Sequence, residues 1–400
     1  MAKWEKVKLG DICDFLNGYA FKSEKYQAKG YRVIRITNVQ KGKIIDEDPK
    51  FYEENIKLKK FVLKENDILI SLTGNVGRVG VVADNLLPAY LNQRVGCVRI
   101  NNKQVSVNYL YSYMNSDFFE NKCIQSAKGI AQKNLSTEWL KEVLIPLPPL
   151  EEQKKIAERL DAVSDLLEKQ KQLLAEQDNL IKSIFYDMFG DTKTNSKKWE
   201  LVRLEDVLSI GSSTRVFVDE LVSEGIPFYR GTEIGAMAVG EKIIPSLFIT
   251  SEHYKKLCSR SGRPSIGDLL MPSICPDGRI WQVQTESPFY FKDGRVLWIH
   301  FPSHNIFTSM YLRYAMKEKF AVDYHNIASG TTFAELKICA LKSLKIMCPP
   351  IELQQKFATI VEGIEAQKEK IKSSIAETQT LFASLMAKYF DEEQNDRISK

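Results

Sequence analysis

Few residues in this 400-residue chain could carry metal or nucleophilic chemistry, since it has four histidines and seven cysteines. Protein zinc sites combine histidine, cysteine and carboxylate ligands at short spacing. The closest histidine pair is His300 and His304, and Pro302 between them prevents a continuous helix. The cysteines are scattered and form no CxxC pair. We therefore expect no metal site and reduced thiols.

A glycine-rich stretch over residues 74–80 reads GNVGRVG. Phosphate-binding loops have GxGxxG spacing or a GK[ST] ending, and this stretch has neither, so we predict a glycine-rich hairpin. No methyl-donor glycine motif accompanies the Pro-Pro pairs described below, and the few histidines supply no nucleophile and base in both halves. We predict that the chain is not an enzyme by itself.

Arginine is the chemically capable side chain that recurs at matching places in the two halves of the chain. Three pairs share this property at predicted strand ends and turns: Arg35 with Arg230, Arg78 with Arg279, and Arg94 with Arg295. Paired N–H donors suit arginine to backbone phosphate. A single pair could equally be a structural ion pair or a bond to a carbonyl. Three pairs together favour a binding face.

The polar residues around these arginines differ between the halves. Thr73-Gly74-Asn75 stands against Cys275-Pro276-Asp277, and Asn92 stands against Asp293. Retained arginines for phosphates and divergent polar loops for base edges fit two units that read different DNA sequences. The candidate DNA-contacting residues are Arg35, Thr37, Asn38, Thr73, Asn75, Arg78, Asn92, Gln93, Arg94, Lys128, Gln132, Lys133, Arg230, Thr232, Asp277, Arg279, Asp293, Arg295 and Thr332.

These candidates lie in a unit that the chain contains twice. Residues 4–9 correspond to 199–204 at an offset of 195, and residues 66–70 correspond to 267–271 at an offset of 201. Short apolar runs bounded by glycine and asparagine predict strands, and longer periodic runs predict helices. The predicted strands cover 31–36, 67–72, 76–83 and 95–100, and the predicted helices cover 107–122 and 307–320. We expect each unit to have a mixed α/β (α+β) fold.

Each unit is followed by a long amphipathic segment that starts after a Pro-Pro pair. Residues 152–189 contain no proline or glycine, and as a helix they would extend about 57 Å. Apolar residues recur at 4-3 spacing here and again 201 residues later, which favours pairing as an antiparallel coiled coil over separate core helices. The predicted pairing residues are Ile156, Leu160, Val163, Leu167, Leu174, Ile181, Ile184, Phe357, Val361, Ile364, Ile371, Ile375, Phe382 and Leu385.

Four polar residues interrupt this apolar seam: Gln170, Gln177, Lys368 and Thr378. In antiparallel packing they could fix the register of the helix pair at a cost in stability. They could equally be positions that face solvent. The sequence leaves both alternatives open.

The predicted organisation is therefore two tandem, pseudo-twofold-related domains separated by two long helices. Its boundaries are 1–147 for the first domain, 148–190 for the first helix, 191–198 for a solvated linker, 199–348 for the second domain, 349–391 for the second helix, and 392–400 for a polar tail. A net charge of +5 permits a nucleic-acid partner. No apolar run is long enough to span a membrane and the start lacks a signal peptide, so we expect a cytoplasmic location without membrane contact.

Tandem α/β units that begin with Trp-Glu and end in a Pro-Pro-(Leu/Ile)-x-x-Gln helix resemble the specificity subunits of type I restriction-modification systems. The strongest local features are PPLEEQ at 148–153 and PPIELQ at 349–354, and the resemblance covers Trp4–Phe390. Any one motif is weak, but their duplication in order is specific to that family.

The resemblance implies that each globular unit is a target-recognition domain for one half of a split target in double-stranded DNA. It also implies that the paired helices set the gap and dock two modification subunits, which bind S-adenosylmethionine and methylate adenine. Motor-nuclease restriction subunits, which use ATP and Mg²⁺, would complete the endonuclease. This chain itself would bind no cofactor. The alternative is a coiled-coil scaffold whose globular units bind peptides, and salt-dependent DNA binding would separate the two.

Overall fold

The chain forms two compact units in a computed structural model, which describes residues 4–127, 134–303, 305–329 and 334–390. One unit comprises residues 1–172 with 373–400, and the other comprises residues 173–372. Each unit contains one globular part and a portion of both long helices. In the described ranges no helix combines the length and apolar character that a membrane crossing requires.

The first unit is built from short strands and four helices that precede the first long helix. Its strands are β1 (Lys6–Lys8), β2 (Cys13–Asn17), β3 (Tyr31–Ile34), β4 (Val39–Gln40), β5 (Lys43–Ile44), β6 (Phe51–Tyr52), β7 (Ile68–Ser71), β8 (Val79–Val81), β9 (Ala89–Leu91), β10 (Val95–Ile100) and β11 (Leu144–Pro146). Its helices are α1 (Leu9–Ile12), α2 (Val107–Met114), α3 (Asp117–Ser126) and α4 (Thr137–Glu142). The central sheet has the order β2-β10-β7-β8, and a second sheet has the order β6-β3-β9.

The central strand β7 is buried on both faces. Ile68 and Ile70 pack with helix residues such as Tyr109, whereas Leu69 packs on the opposite face with Leu91. Successive side chains of a strand point to opposite faces, so a strand covered on both sides must be apolar throughout. This explains the uninterrupted apolar run that the sequence shows here.

Three predicted boundaries in this unit were wrong. Strand β3 ends at Ile34, because Asn38 accepts a hydrogen bond from the Arg35 backbone and closes a 3₁₀ turn. The predicted strand 76–83 shortens to β8, since Gly77 has a φ of 87°. The predicted helix 107–122 is two helices, because Ser116 Oγ accepts from Phe119 N and caps a new start.

A first long helix, α5 (Leu150–Phe189), leads into the second unit. The strands there are β12 (Leu201–Arg203), β13 (Ser209–Gly211), β14 (Ile226–Tyr229), β15 (Phe248–Ile249), β16 (Leu269–Pro272), β17 (Trp281–Gln282), β18 (Tyr290–Phe291), β19 (Val296–His300) and β20 (Lys345–Met347). The helices are α6 (Leu204–Val207), α7 (Gly231–Ala238), α8 (Ser251–Ser261), α9 (Ser309–Ile327), α10 (Ile338–Ser343) and the second long helix α11 (Ile351–Phe390).

The second unit repeats the sheet plan of the first. Its central sheet has the order β13-β19-β16-β17, and β14 lies between β15 and β18. Helix α9 extends the predicted segment 307–320 by a further seven residues. The predicted linker 191–198 is mostly exposed, as expected, but it is a hydrogen-bonded turn in which Asn195 both donates to and accepts from the Trp199 backbone.

Helices α5 and α11 pack against each other within the first unit. Arg159 Nη1 lies 3.1 Å from the Tyr389 hydroxyl, and Gln170 Nε2 lies 2.8 Å from Ser374 Oγ and 3.3 Å from Thr378 Oγ1. Residue numbers rise along α5 while they fall along α11. The predicted antiparallel pairing is therefore confirmed in this unit.

The second unit contains the same antiparallel pairing. Lys368 Nζ lies 2.7 Å from Asp178 Oδ1, and the Phe357 ring contacts Phe185 and Phe189. Burial alone would lower the pKa of Lys368, but Asp178 and Glu365 outweigh it and raise the pKa. This buried lysine is one of the predicted polar seam residues.

The predicted pairing residues are all buried or half-buried. Of the four polar interruptions, Gln170, Thr378 and Lys368 make the contacts given above, and Gln177 is half-buried. At the end of α5 the most buried residues are Phe185 and Phe189 rather than the predicted Ile184. A helix of 3.6 residues per turn drifts from a strict heptad stripe, and here it turns the later residues into the core of the unit.

The glutamine of each Pro-Pro motif fixes the start of a long helix. Gln153 is completely buried, accepts a hydrogen bond from Ser106 N at 2.9 Å, and donates to the carbonyls of Gln104 and Pro148. Gln354 makes the same three bonds, to Thr308 N, Ile306 O and Pro349 O. The motif recognised in the sequence thus joins each long helix to its globular part through three hydrogen bonds. We call this set of bonds a glutamine lock.

Candidate functional site

The three predicted arginines of the first unit all follow the carboxyl ends of neighbouring strands. Arg35 follows β3, and Arg94 follows β9, which runs parallel and adjacent to β3. At the end of β7, Ser71 N donates to Arg78 O and Leu72 N donates to Arg94 O. The strand ends therefore bring the three arginines to one edge of the unit.

These arginines have different partners. Arg35 Nη2 donates to the Asp48 carbonyl at 2.8 Å and lies 3.7 Å from its carboxylate. Arg78 Nη1 donates to Gln40 Oε1 at 2.9 Å. Arg94 is exposed, and within the described ranges its side chain has no hydrogen-bond or ion-pair partner. Two of the three guanidinium groups thus have no carboxylate beside them.

The equivalent arginines of the second unit line one open groove of about 430 Å³. We call it the arginine groove, and its lining residues are Arg230, Gly231, Thr232, Pro272, Ser273, Ile274, Arg279, Lys292 and Arg295. The cationic residues follow β14, β16 and β18, the counterparts of β3, β7 and β9. The arrangement predicted from the sequence repeat is therefore present in both units.

Every cation of the arginine groove faces a carboxylate. The pairs and their N–O distances are Arg230–Glu233 at 2.5 Å, Arg279–Asp277 at 2.7 Å, Arg295–Glu335 at 3.1 Å and Lys292–Asp293 at 3.8 Å. The groove is thus formally neutral, although the three arginine side chains remain 41–61% exposed. It offers hydrogen-bond donors and acceptors side by side.

Two of these carboxylates are held by further contacts. Burial alone would raise the pKa of Glu233, but hydrogen bonds from Arg230 and Thr232 lower it to about 2. Glu335 Oε1 accepts a hydrogen bond from Ser273 Oγ at 2.8 Å as well as from Arg295. These contacts fix the acceptor groups in the groove.

Two glycines of α7 allow this helix to approach the arginines closely. A Cβ atom at Gly231 would lie 3.1 Å from the Arg295 carbonyl oxygen, and one at Gly235 would lie 3.3 Å from Arg279 Nη1. Both distances are shorter than an ordinary van der Waals contact. Any larger residue at either position would displace a groove arginine.

The remaining predicted DNA-contacting residues differ in solvent exposure. Thr37, Asn75, Gln93, Thr232 and Asp277 are exposed, whereas Thr73 and Asp293 are partly buried. Lys128, Gln132, Lys133 and Thr332 lie outside the described residues.

Two of the predictions need correction. Asn38 and Asn92 are 5% and 7% exposed, and their side chains accept hydrogen bonds from the Arg35 and Arg94 backbones. Buried polar groups are normally committed to such bonds. We therefore assign these two asparagines to turn structure rather than to DNA contact.

Sequence reasoning missed three residues that complete the two sites. Gln40 holds Arg78, Glu335 holds Arg295, and Lys292 adds a fourth cation to the arginine groove. Glu335 lies three residues after the predicted contact Thr332, but it stands 40 positions from Arg295, so no local sequence signal marks the pair. No such signal marks Gln40 either.

Among the described residues, no three or more histidine, cysteine, aspartate or glutamate side chains cluster as a metal site. His300 contacts Asp268 through Nδ1 at 3.0 Å, and Trp298 Nε1 donates to the same carboxylate. His304 lies outside the described residues.

A family comparison agrees with the duplicated plan. The family described as "Type I restriction modification DNA specificity domain" matches residues 1–177 and 196–378, so each match contains one globular part and a long-helix segment. The chain belongs to this type I specificity family. The family resemblance predicted from the Pro-Pro motifs and the repeat is confirmed.

Individual relatives carry the same description. The chain is 34% identical over 171 residues to the type I restriction enzyme MjaVIII specificity subunit of Methanocaldococcus jannaschii, a match that covers 41% of this chain and 40% of that subunit. The match to the EcoAI specificity subunit of Escherichia coli is 32% identical and covers 43% of this chain and 30% of that subunit. The StySPI specificity subunit of Salmonella potsdam is 22% identical over 97% of this chain and 88% of its own length. The first two matches thus span less than half of those relatives.

Solved structures of specificity-family members share the fold. A chain from a structure that addresses complex assembly and conformational transition of the type I R-M system superposes with a TM-score of 0.60, at 19% identity over 97% of this chain and 98% of that chain. The S subunit of M. genitalium gives a TM-score of 0.54, at 17% identity over 97% of this chain and 96% of its own.

Proposed function

We propose that this chain is the DNA sequence-recognition subunit of a type I restriction-modification complex, and that each of its two units reads one half of a bipartite target in double-stranded DNA. One observation carries the proposal. The arginines retained between the halves gather at equivalent strand ends in both units, while the polar groups around them differ. A shared fold with two different polar surfaces suits two different half-sites.

The chemistry of the arginine groove supports base reading. In the major groove of DNA, guanine presents acceptors to an arginine fork, and cytosine presents a donor to a carboxylate. The cations that line the arginine groove supply the first kind of group, and the carboxylates paired with them supply the second. Because its charges cancel, its contribution to DNA binding depends on hydrogen-bond pattern more than on attraction to phosphate.

The two long helices would set the distance between half-sites and dock two methyltransferase subunits. Each helix has 40 residues and extends about 60 Å. Half-sites read on one face of a duplex lie about 34 Å apart or multiples of that distance. The buried Gln153 and Gln354 locks support this role, since a spacer must hold its recognition domain rigidly.

We place the catalytic steps in partner subunits. Adenine methylation with S-adenosylmethionine belongs to the two modification subunits, and ATP- and Mg²⁺-dependent restriction belongs to the motor-nuclease subunits. This chain would bind none of these cofactors, and it would work in the cytoplasm beside the DNA.

The test is the target of the assembled complex. The chain is combined with the modification subunits of its system, and methylated adenines are located by sequencing before and after Arg279→Ala. We expect a bipartite target in which the substitution weakens binding by about 1–3 kcal/mol and relaxes only the half read by the second unit. Arg203→Ala is the matched control, because Arg203 is also an exposed, ion-paired arginine of the second unit.

Two results would refute the proposal. One is a chain that does not associate with the modification subunits. The other is a methylation target with a single continuous sequence, or one in which Arg279→Ala relaxes both halves alike.

A further inference from the structure

Each unit carries a second group of cations that differs from the arginine groove in having no carboxylate partners. The first basic segment contains Lys57, Lys59, Lys60 and Lys64, and the second basic segment contains Lys255, Lys256, Arg260 and Arg263. All eight side chains are exposed. In the part of the chain that the structure describes, none of them forms an ion pair, although Arg263 hydrogen-bonds the Tyr254 hydroxyl.

The two basic segments end at the same turn of the fold. Lys64 N donates to Asp67 Oδ2 at 2.8 Å, and Ser265 N donates to Asp268 Oδ2 at 2.9 Å. Both aspartates are 2% exposed and stand directly before the central strand of their unit. The duplication has therefore kept the placement of the basic segment.

Each segment is also held to a tyrosine on the neighbouring sheet. Asn55 N donates to the Tyr90 hydroxyl at 3.1 Å, and Ser261 Oγ lies 2.9 Å from the Tyr290 hydroxyl. The first segment is a 3₁₀ helix over Ile56–Phe61, whereas the second includes α8. Both keep an adjacent lysine pair in spite of this difference in local structure. The charge is thus common to both units and the backbone conformation is not.

Both segments line open clefts. In the first unit, Lys59, Lys60 and Lys64 face a cleft of about 860 Å³ together with Tyr31 and Asn55. In the second unit, Arg263 faces a cleft of about 320 Å³ with Tyr254 and Thr285 among its lining residues. Glu54 also lines the first cleft and Glu286 the second, so each open surface combines cations with one carboxylate, aromatic rings and polar groups.

We propose that the basic segments contact the phosphodiester backbone of duplex DNA, while the arginine surfaces at the other end of the same central strand read base edges. This inference rests on the proposed function. Lysine is a point charge that suits phosphate irrespective of sequence. A cation without an internal carboxylate partner can replace the counterions of DNA, whereas a neutral ion pair first has to be broken.

The dimensions of the units agree with this division. The basic segment precedes β7 or β16, and just past the far end Leu72 N donates to Arg94 O in the first unit and Ser273 N donates to Arg295 O in the second. A strand of four residues extends about 13 Å, and the major groove of DNA is about 12 Å wide. A single duplex can therefore present base edges to one end of the strand and a phosphate backbone to the other.

The experiment measures the salt dependence of DNA binding by the assembled complex. In one variant, the four lysines of the first basic segment are changed to glutamine, and in another the four cations of the second are changed likewise. Each phosphate contact contributes about 0.9 to the slope of log K against log salt. We expect each variant to lose about 2 from the slope and to bind roughly a hundredfold more weakly near 0.1 M salt. The ratio of target to non-target affinity should stay unchanged.

The control removes the same charge elsewhere on the surface, as Lys8→Gln, Lys141→Gln, Lys193→Gln and Lys198→Gln in one chain. It should bind like the parent. If a fourfold variant does not fold, Lys60→Gln and Lys256→Gln are measured singly, each with an expected slope loss of about 1. Replacement of the segment lysines by arginine should retain the parent slope.

The outcomes separate this inference from the proposed function. If the parent complex does not bind a specific target, the proposed function fails. If the parent binds its target and both fourfold variants keep the slope of the control, only the inference fails. A variant that loses target preference without a change of slope would also overturn it, because the segment would then contact bases.

Discussion

The two units complete the same buried turn with different residues. In the first unit, Arg99 holds Asp67 through two hydrogen bonds of 2.7 Å. In the second, Asp268 accepts from Trp298 Nε1 at 2.8 Å and contacts His300. The carboxylate and the backbone bond that it accepts are retained, whereas the side chains that contact the carboxylate are not. The repeat has thus preserved the geometry of the turn and not the identity of the ion pair.

A larger difference lies beside the retained arginines. In the first unit, the β4–β5 hairpin contacts β8, and Gln40 of this hairpin accepts the Arg78 hydrogen bond. In the second unit, helix α7 lies over β16 and β17 and brings Gly235 against Arg279. A hairpin and a helix therefore occupy equivalent places on one sheet plan.

One fold can therefore carry two different reading surfaces. The strand ends hold the arginines, and the elements and carboxylates around them decide which donors and acceptors face outward. The four ion pairs of the arginine groove have one counterpart in the first unit, Arg35 with Asp48. We therefore expect the two units to differ in the hydrogen-bond pattern of their reading surfaces.

The strongest test of the shared turn is Asp67→Ala compared with Asp268→Ala. Asp67→Ala leaves the permanently charged Arg99 without a partner and should cost about 3 kcal/mol of unfolding free energy, the low end for a buried pair because Arg99 is partly exposed. Asp268→Ala should cost less, because the Trp298 indole N–H that loses its acceptor carries no charge. Hydrogen–deuterium exchange resolved by unit measures both.

Asp84→Ala provides the reference for this comparison, because Asp84 is exposed in the same unit and its loss should change stability by less than about 0.5 kcal/mol. Equal costs at Asp67 and Asp268 would show that the carboxylate matters only as an acceptor for the backbone. The charge partner would then be irrelevant to the turn.

The next test concerns the feature that the units share most closely, the buried glutamine locks. Gln153→Leu and Gln354→Leu each leave one backbone N–H and two carbonyls without their partner, and each should cost about 2 kcal/mol. The two substitutions should have the same effect, measured as chemical unfolding of the chain. Gln172→Leu, at an exposed position of α5, should be close to neutral. A clear difference between Gln153 and Gln354 would mean that the locks are not equivalent.

The sequence predicted the parts of the fold that repeat. The offset of 201 residues matched Asp67 with Asp268 and Gln153 with Gln354. The two aspartates accept the same backbone hydrogen bond, and the two glutamines make the same three bonds. The paired helices could also be predicted, since heptad spacing is a local signal. The break between α2 and α3 at Ser116 could not be predicted. It depends on the capping hydrogen bond of Ser116, which the spacing of apolar residues does not reveal.

The positions of the candidate-site arginines could be predicted from the repeat, but their pairing with carboxylates could not. The repeat identified Arg230, Arg279 and Arg295, but their carboxylate partners come from the next turn, the same loop and a residue 40 positions away. The pairing of Arg295 with Glu335, 40 positions away, depends on tertiary structure, which a single sequence does not contain. For the same reason Asn38 resembled a surface residue and proved to be buried.

The last prediction has the smallest expected effect. It tests directly the difference in carboxylate pairing between the arginines of the two units. Asp277→Asn with Glu335→Gln removes two of the four carboxylates of the arginine groove and gives the second unit the character of the first, in which two arginines lack a carboxylate. Two freed arginines can then bind phosphate, so the salt slope should rise by about 1–2 and non-target affinity should increase. Preference for the target should fall, because the acceptors for cytosine are lost.

This last result depends on charge and not on shape, since both replacements are nearly isosteric. Asp219→Asn with Glu220→Gln is the matched control, because it removes the same charge from exposed or half-buried positions that are not paired with a groove arginine. If the double variant at Asp277 and Glu335 keeps its target preference while non-target affinity rises, the carboxylates merely screen the arginines. If neither quantity changes, the ion pairs stay closed on DNA and the arginine groove is not the reading surface of the second unit.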